Sequence, residues 1–133
     1  GGGQWRLWPL SDRAPLTGPQ GMARGLVGLI GDAAHPMRPY LAQGAGMAIE
    51  DAAELQRALA MADLDVSTRL RRYALNRWQR NARVQARSIR NGEIFHATGL
   101  MRWGRDSALR LLGSRLMDVP WLYRGDGACA TGW

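Results

Sequence analysis

The chain has 133 residues, 46% of them hydrophobic, which is enough for one small core. Its 18 basic residues are all Arg, against 11 acids, giving a formal charge of +7 that permits anionic partners; the complete lack of Lys points to coding bias more than to a binding role. A single cysteine, Cys129, excludes an internal disulfide, and no apolar run reaches the ~18 residues of a membrane span, so a cytoplasmic protein without a membrane partner is expected.

In chain order, Gln4 to Leu10 alternates in the manner of a short strand ended by Pro9. Ser11 to Gly25, with Pro15, Gly18, Pro19 and Gly21, reads as a connection. Gly25 to Ile30 carries no charge, which predicts a parallel-type strand buried on both faces, and Gly28 within it predicts a close neighbour at the backbone. Asp32 follows at the strand end, where ligands of α/β folds sit. From His35 to Tyr40 two prolines forbid regular helix and predict an extended turn with its carbonyls aimed outward.

Gly44 to about Ala62 is predicted as the first helix, with Met47, Ala48, Ala52, Leu55, Leu59 and Ala62 inward and Glu50, Glu54 and Arg57 outward. Its first N–H groups face the same crevice as Asp32 and carry the partial positive charge of a helix N-terminus. A second long helix is capped by Ser67 and reaches the mid-90s, with Asn91-Gly92 as a place to kink or end. At about 100° per residue, Arg69, Arg72, Arg80, Arg83, Arg87 and Arg90 form a guanidinium stripe, opposite Leu70, Ala74, Leu75, Trp78, Ala82, Ala86 and Ile89. A solvated or acid-paired face is expected of the stripe, and no nucleic-acid partner. Asp106 to Met117 is a third helix, Pro120 closes it, and Gly125 to Trp133 is a tail without structure.

The stretch GDAAHPMRPYLAQGAGMAIEDA, residues 31–52, resembles the second FAD-binding motif of single-component, NAD(P)H-dependent flavoprotein aromatic hydroxylases of the salicylate hydroxylase-like kind. Arg83-Val84-Gln85, Asn91-Gly92, Phe95-His96, Gly99, Arg105-Asp106 and Trp121-Leu122-Tyr123 resemble the C-terminal helical region of the same hydroxylases. The resemblance implies an α/β fragment, one or two short strands followed by three helices, completing a Rossmann-type FAD domain whose glycine-fingerprint unit is not in this sequence. It also implies four parts: residues 1–24 end the substrate-domain sheet, 25–62 are the FAD motif, 63–124 the helical region and 125–133 the tail.

By the same resemblance, Asp32 binds a ribityl or ribose hydroxyl of FAD, and Gly44, Ala45, Gly46 and Met47 lie against the flavin pyrimidine edge. The Pro39 carbonyl approaches the C4a edge, and Tyr40 either borders the substrate cavity or simply packs. The activity implied is hydroxylation of an aromatic substrate with O2 through a flavin C4a-hydroperoxide, reduced by NADH or NADPH. The residue that activates the phenol is expected upstream, so none here is assigned as catalytic. His35 is expected in a structural hydrogen bond and Arg38 in solvent. His96 has no metal-ligand partner at useful spacing, and no metal is expected. The competing reading is a non-enzymatic basic helical module acting through the Arg stripe, which leaves Gly31-Asp32 and Gly44 to Gly46 unexplained.

Overall fold

Helix α2, Val66–Phe95, is the spine against which the other elements lie. At 1.5 Å per residue its 30 residues extend about 45 Å. A computed structural model describes Arg6, Pro9 and residues 11–96, 98–112 and 120–123. Most of the expected strand at Gln4 to Leu10 and all of the 125–133 tail lie outside the described residues.

Before α2 come a 3-10 turn (Pro19–Gly21), two short strands, β1 (Ala23–Arg24) and β2 (Val27–Gly28), two more 3-10 turns (Gly31–Ala33 and Pro39–Leu41) and helix α1 (Gly44–Leu59). The strands pair antiparallel, Ala23 with Gly28 and Arg24 with Val27, and no parallel pair occurs among the described residues. The expected strand at Gly25 to Ile30, buried on both faces, is therefore corrected to a tight hairpin. Gly25 turns the chain at φ +57°, a conformation that side chains disfavour and hairpin loops require. Leu26 and Val27 are 76% and 62% exposed, because no second layer among the described residues covers this apolar run. The close neighbour expected at Gly28 is Leu70, whose Cδ2 stands 3.1 Å from where a Cβ would be.

Two apolar clusters hold these pieces to α2. Leu16, Met22, Ala34, Ala58, Tyr73 and Ala74 form one, and Met47, Val84 and Leu122 the other. Tyr73 also donates its hydroxyl to the Leu29 carbonyl at 2.8 Å, tying the hairpin to the helix. Burial of the ring and the nearby Asp51 charge raise the phenol further above its usual range than the Arg77 charge lowers it, so it stays a donor.

The buried face of α2 consists of Leu70, Tyr73, Ala74, Arg77, Arg80, Asn81, Val84, Gln85, Ser88 and Gly92. This rotates the helix relative to the expected face: Leu75 is 47% exposed, while Arg77 and Arg80 are inside. On α1 the correction is similar, since Met47, Asp51 and Ala58 are buried and Ile49 and Leu59 are exposed. The cap of α2 is Asp65, not Ser67: its carboxylate accepts the Thr68 N–H at 3.0 Å and the Thr68 hydroxyl at 2.6 Å. The helix runs through Asn91-Gly92 without ending.

Helix α3, Gly99–Leu112, starts seven residues before the expected Asp106. Gly99 turns the chain at φ +61°, and Arg105 donates to the Ile94 and Phe95 carbonyls that end α2. Pro120 opens rather than closes an element, the short α4 (Pro120–Tyr123), where a missing N–H is no loss.

Candidate functional site

The Gly31–Ala33 turn depends on its glycine. Gly31 is buried at φ +56°, and a Cβ there would stand 3.1 Å from the Ala48 Cβ, so a side chain meets both backbone strain and α1. Its carbonyl accepts from Ala34 and His35, both at 2.9 Å, closing the turn that presents Asp32 at the surface. One carboxylate oxygen of Asp32 stands 3.8 Å from where a Cβ on Gly44 would be. The exposed acceptor and the start of α1 thus share one place.

The N-cap of α1 is Gln43, whose side chain makes no capping hydrogen bond. The first helical N–H groups, on Gly44, Ala45 and Gly46, are therefore left uncapped by it. At Met47, the last of the expected set, the N–H donates to the Gln43 carbonyl at 2.9 Å and the side chain is buried against Val84 and Leu122. The Pro39 carbonyl accepts from Ala42 at 3.2 Å, which leaves one lone pair. The Tyr40 side chain lies outside the described residues.

Beneath the turn, Asp51 gathers four donors. His35 Nε2 lies 2.6 Å from one carboxylate oxygen, which also accepts the Gly31 N–H at 3.1 Å. The other oxygen accepts from Arg77 Nε at 2.9 Å and from Asn81 Nδ2 at 3.0 Å. His35, Asp51 and Asn81 are wholly buried. Burial alone would raise the Asp51 carboxyl, but the hydrogen bonds from His35, Asn81, Arg77 and Gly31 outweigh it and hold the group below the usual carboxylate range. An ionised Asp51 can only accept, so His35 donates through Nε2. Nδ1 of that ring is buried and has no partner among the described residues. The structural role expected of His35 is thus the one it has.

Glu50 closes a second layer, pairing with Arg77 at 2.7 Å and with Arg80 through two contacts of 2.6 and 2.7 Å. Burial opposes its charge, but the bonds from Arg80 and Arg77 prevail and its carboxyl is also lowered. Two carboxylates and two guanidinium groups therefore balance within the protein. The expected outward face of Glu50 is corrected by this pairing, while the Arg stripe is acid-paired at Arg80, which is buried, and at Arg69 it donates to the carbonyls of Leu59, Ala62 and Leu64.

The loop after the turn is also held from α2. Gln85 Nε2 donates to the Pro36 carbonyl at 3.3 Å and the Ser88 hydroxyl to the Arg38 carbonyl at 2.7 Å, so these carbonyls point inward and not outward as expected. Arg38 itself is exposed, as expected, and pairs at the surface with Asp12 at 2.5 Å.

Residues 18–88, from the first 3-10 turn to Ser88, match the family model described as FAD binding domain. The chain belongs to that family. The matched stretch of the FAD binding domain contains the Asp32 turn, the α1 start, Asp51, Arg77 and the loop clamps on α2. Among curated relatives, the chain is 39% identical over 90% of its length to a 3-hydroxybenzoate 6-hydroxylase of Klebsiella oxytoca, and 43% identical over 91% to a 3-amino-4-hydroxybenzoate 2-monooxygenase of Streptomyces platensis. It spans 30% of each. A 6-hydroxynicotinate 3-monooxygenase of Bordetella bronchiseptica is 49% identical over 59% of the chain, which spans 20% of that relative.

Sequence reasoning missed Asp51, Arg77, Asn81, Gln85 and Ser88. The signal was present: residues 77, 81, 85 and 88 share the face of Leu70, Tyr73, Ala74 and Val84, and a polar stripe in line with an apolar one marks buried hydrogen bonds.

Proposed function

We propose that this chain is the flavin-side segment of an FAD-dependent, NAD(P)H-using monooxygenase that hydroxylates an aromatic ring with O2. The FAD binding domain match and the hydroxylase and monooxygenase names of its relatives support the reading. The observation that carries it is the exposed Asp32 carboxylate beside the uncapped start of α1. Such a pair fits a flavin. A carboxylate accepts from a sugar-type hydroxyl, and uncharged N–H groups at a helix start favour negative charge on a flat, electron-rich edge.

In this reading Asp32 holds an FAD hydroxyl and the N–H groups of Gly44, Ala45 and Gly46 face the flavin. Pro39 and Tyr40 border the space where the substrate meets it. The bound cofactor supplies electron storage and oxygen activation, and the chain supplies orientation and fixed dipoles. Asp51, His35 and Arg77 hold the Asp32 turn from below without touching the cofactor. The base that activates the ring lies in another part of the enzyme. No helix among the described residues is long and apolar enough to cross a membrane.

The test is Asp32→Ala in the full-length flavoprotein, with FAD affinity read by fluorescence. Losing a hydrogen bond to a charged acceptor, on the order of 1.5–3 kcal/mol, weakens FAD binding by roughly 10- to 150-fold. Unchanged affinity in a folded variant rejects Asp32 as the hydroxyl ligand.

A further inference from the structure

We propose that Ser88 and Gln85 are positioning residues: from the core face of α2 they set where the Pro36 to Pro39 loop stands relative to the flavin. The proposal rests on the flavin reading above. The loop cannot place itself, because its two prolines lack N–H groups and no ladder pairs its carbonyls. Two of those carbonyls are instead fixed by one helix face. Ser88 donates to Arg38 at 2.7 Å and Gln85 to Pro36 at 3.3 Å, from side chains that are each 1% exposed.

The spacing suits both partners. Gln85 and Ser88 are three residues apart on one helix face, a rise of about 4.5 Å. Pro36 and Arg38 are two residues apart, and Arg38 is extended at φ −68° and ψ 149°. The helix and the loop therefore run side by side with their groups in register. Gln85 cannot rotate its amide away, since its Oε1 accepts the Leu16 N–H at 3.1 Å and so directs Nε2 to the loop.

What the clamp controls lies immediately downstream. Arg38 is the residue before Pro39, which opens the 3-10 turn that ends at Ala42 in the left-handed conformation, φ +50°. Gly44, the first residue of α1, follows two positions later. Releasing the Arg38 carbonyl frees the Pro39 turn while leaving Asp32 held by the Asp51 bonds. Ser88 thereby acts on the flavin face of the loop and not on the hydroxyl ligand.

The experiment compares Ser88→Ala and Ser88→Thr in the full-length flavoprotein. Ser88→Ala is expected to retain FAD affinity close to the parent while shifting the visible absorption of bound flavin. Coupling of NAD(P)H oxidation to hydroxylation should fall by roughly 10-fold, within what a displacement of an ångström costs. Ser88→Thr, which keeps the hydroxyl, restores both. If Ser88→Ala does not fold, Ser88→Cys, similar in size but a weak donor, must give the same spectral shift. A folded, flavin-loaded Ser88→Ala or Ser88→Cys protein with unchanged spectrum and coupling overturns the positioning role and leaves the flavin reading standing. A parent protein that binds no FAD overturns both.

Discussion

Asp51 joins three elements that local sequence does not connect: the Gly31 turn, its own helix α1, and Arg77 and Asn81 on α2. Removing one partner of a buried pair strands the other, which typically costs 3–5 kcal/mol, about what Asp51→Ala should lose in urea unfolding. The same carboxylate makes stability depend on pH. Asp51 and Glu50 are both held below their ordinary values in the folded state, so each contributes fully above the unfolded carboxylate value of about 4. That contribution is lost as pH falls through the lowered folded values. Unfolding midpoints measured downward from pH 7 should therefore be level at first and drop below about pH 4. In Asp51→Ala the drop should be smaller, and an equally steep one would assign the acid sensitivity to other groups. The turn glycine and Asp32 were legible in the sequence, whereas Asp51 was not, because an acid on a helix reads as solvent-facing until its partners on another helix are known.

At the scale of elements, both long helices were legible from periodicity, and their orientation was not. Arginine decided the difference. Counting it as outward turned α2 so that Leu75 faced the core, whereas the protein buries Arg77 and Arg80 with their acids and leaves Leu75 half exposed. The strand was misread for a related reason: an apolar run says that something is to cover it, not which neighbour it pairs with. The cap of α2 offers a clean comparison. Hydrogen bonds from Thr68, and smaller ones from Ser67, lower the Asp65 carboxyl to about 2, so it is ionised and capping at neutral pH. Asp65→Ala should lower the thermal midpoint more than Ser67→Ala, which removes only a supporting bond to the cap carboxylate, as followed by circular dichroism. A larger loss from the Ser67 variant would return the cap to that residue.

On the scale of the whole molecule, Leu26, Val27 and Ile30 around the hairpin and Ile49 on the outside of α1 are exposed apolar residues in a chain that spans 30% of its hydroxylase relatives. On the proposed function, these 133 residues supply the flavin edge of the site and the remaining FAD contacts come from the rest of the flavoprotein. The chain alone should then hold FAD weakly or not at all, and tight stoichiometric retention through gel filtration would contradict that. The charge quartet beneath the site has a different reach. Glu50, Asp51, Arg77 and Arg80 neutralise one another across two helices, so a change at any one of them strands a charge, whereas a matched exchange need not. A single substitution at any of these four positions should therefore cost more stability than a matched exchange of two, whereas a change at the exposed Arg72 of the same helix should be nearly neutral, as urea unfolding of each variant would show.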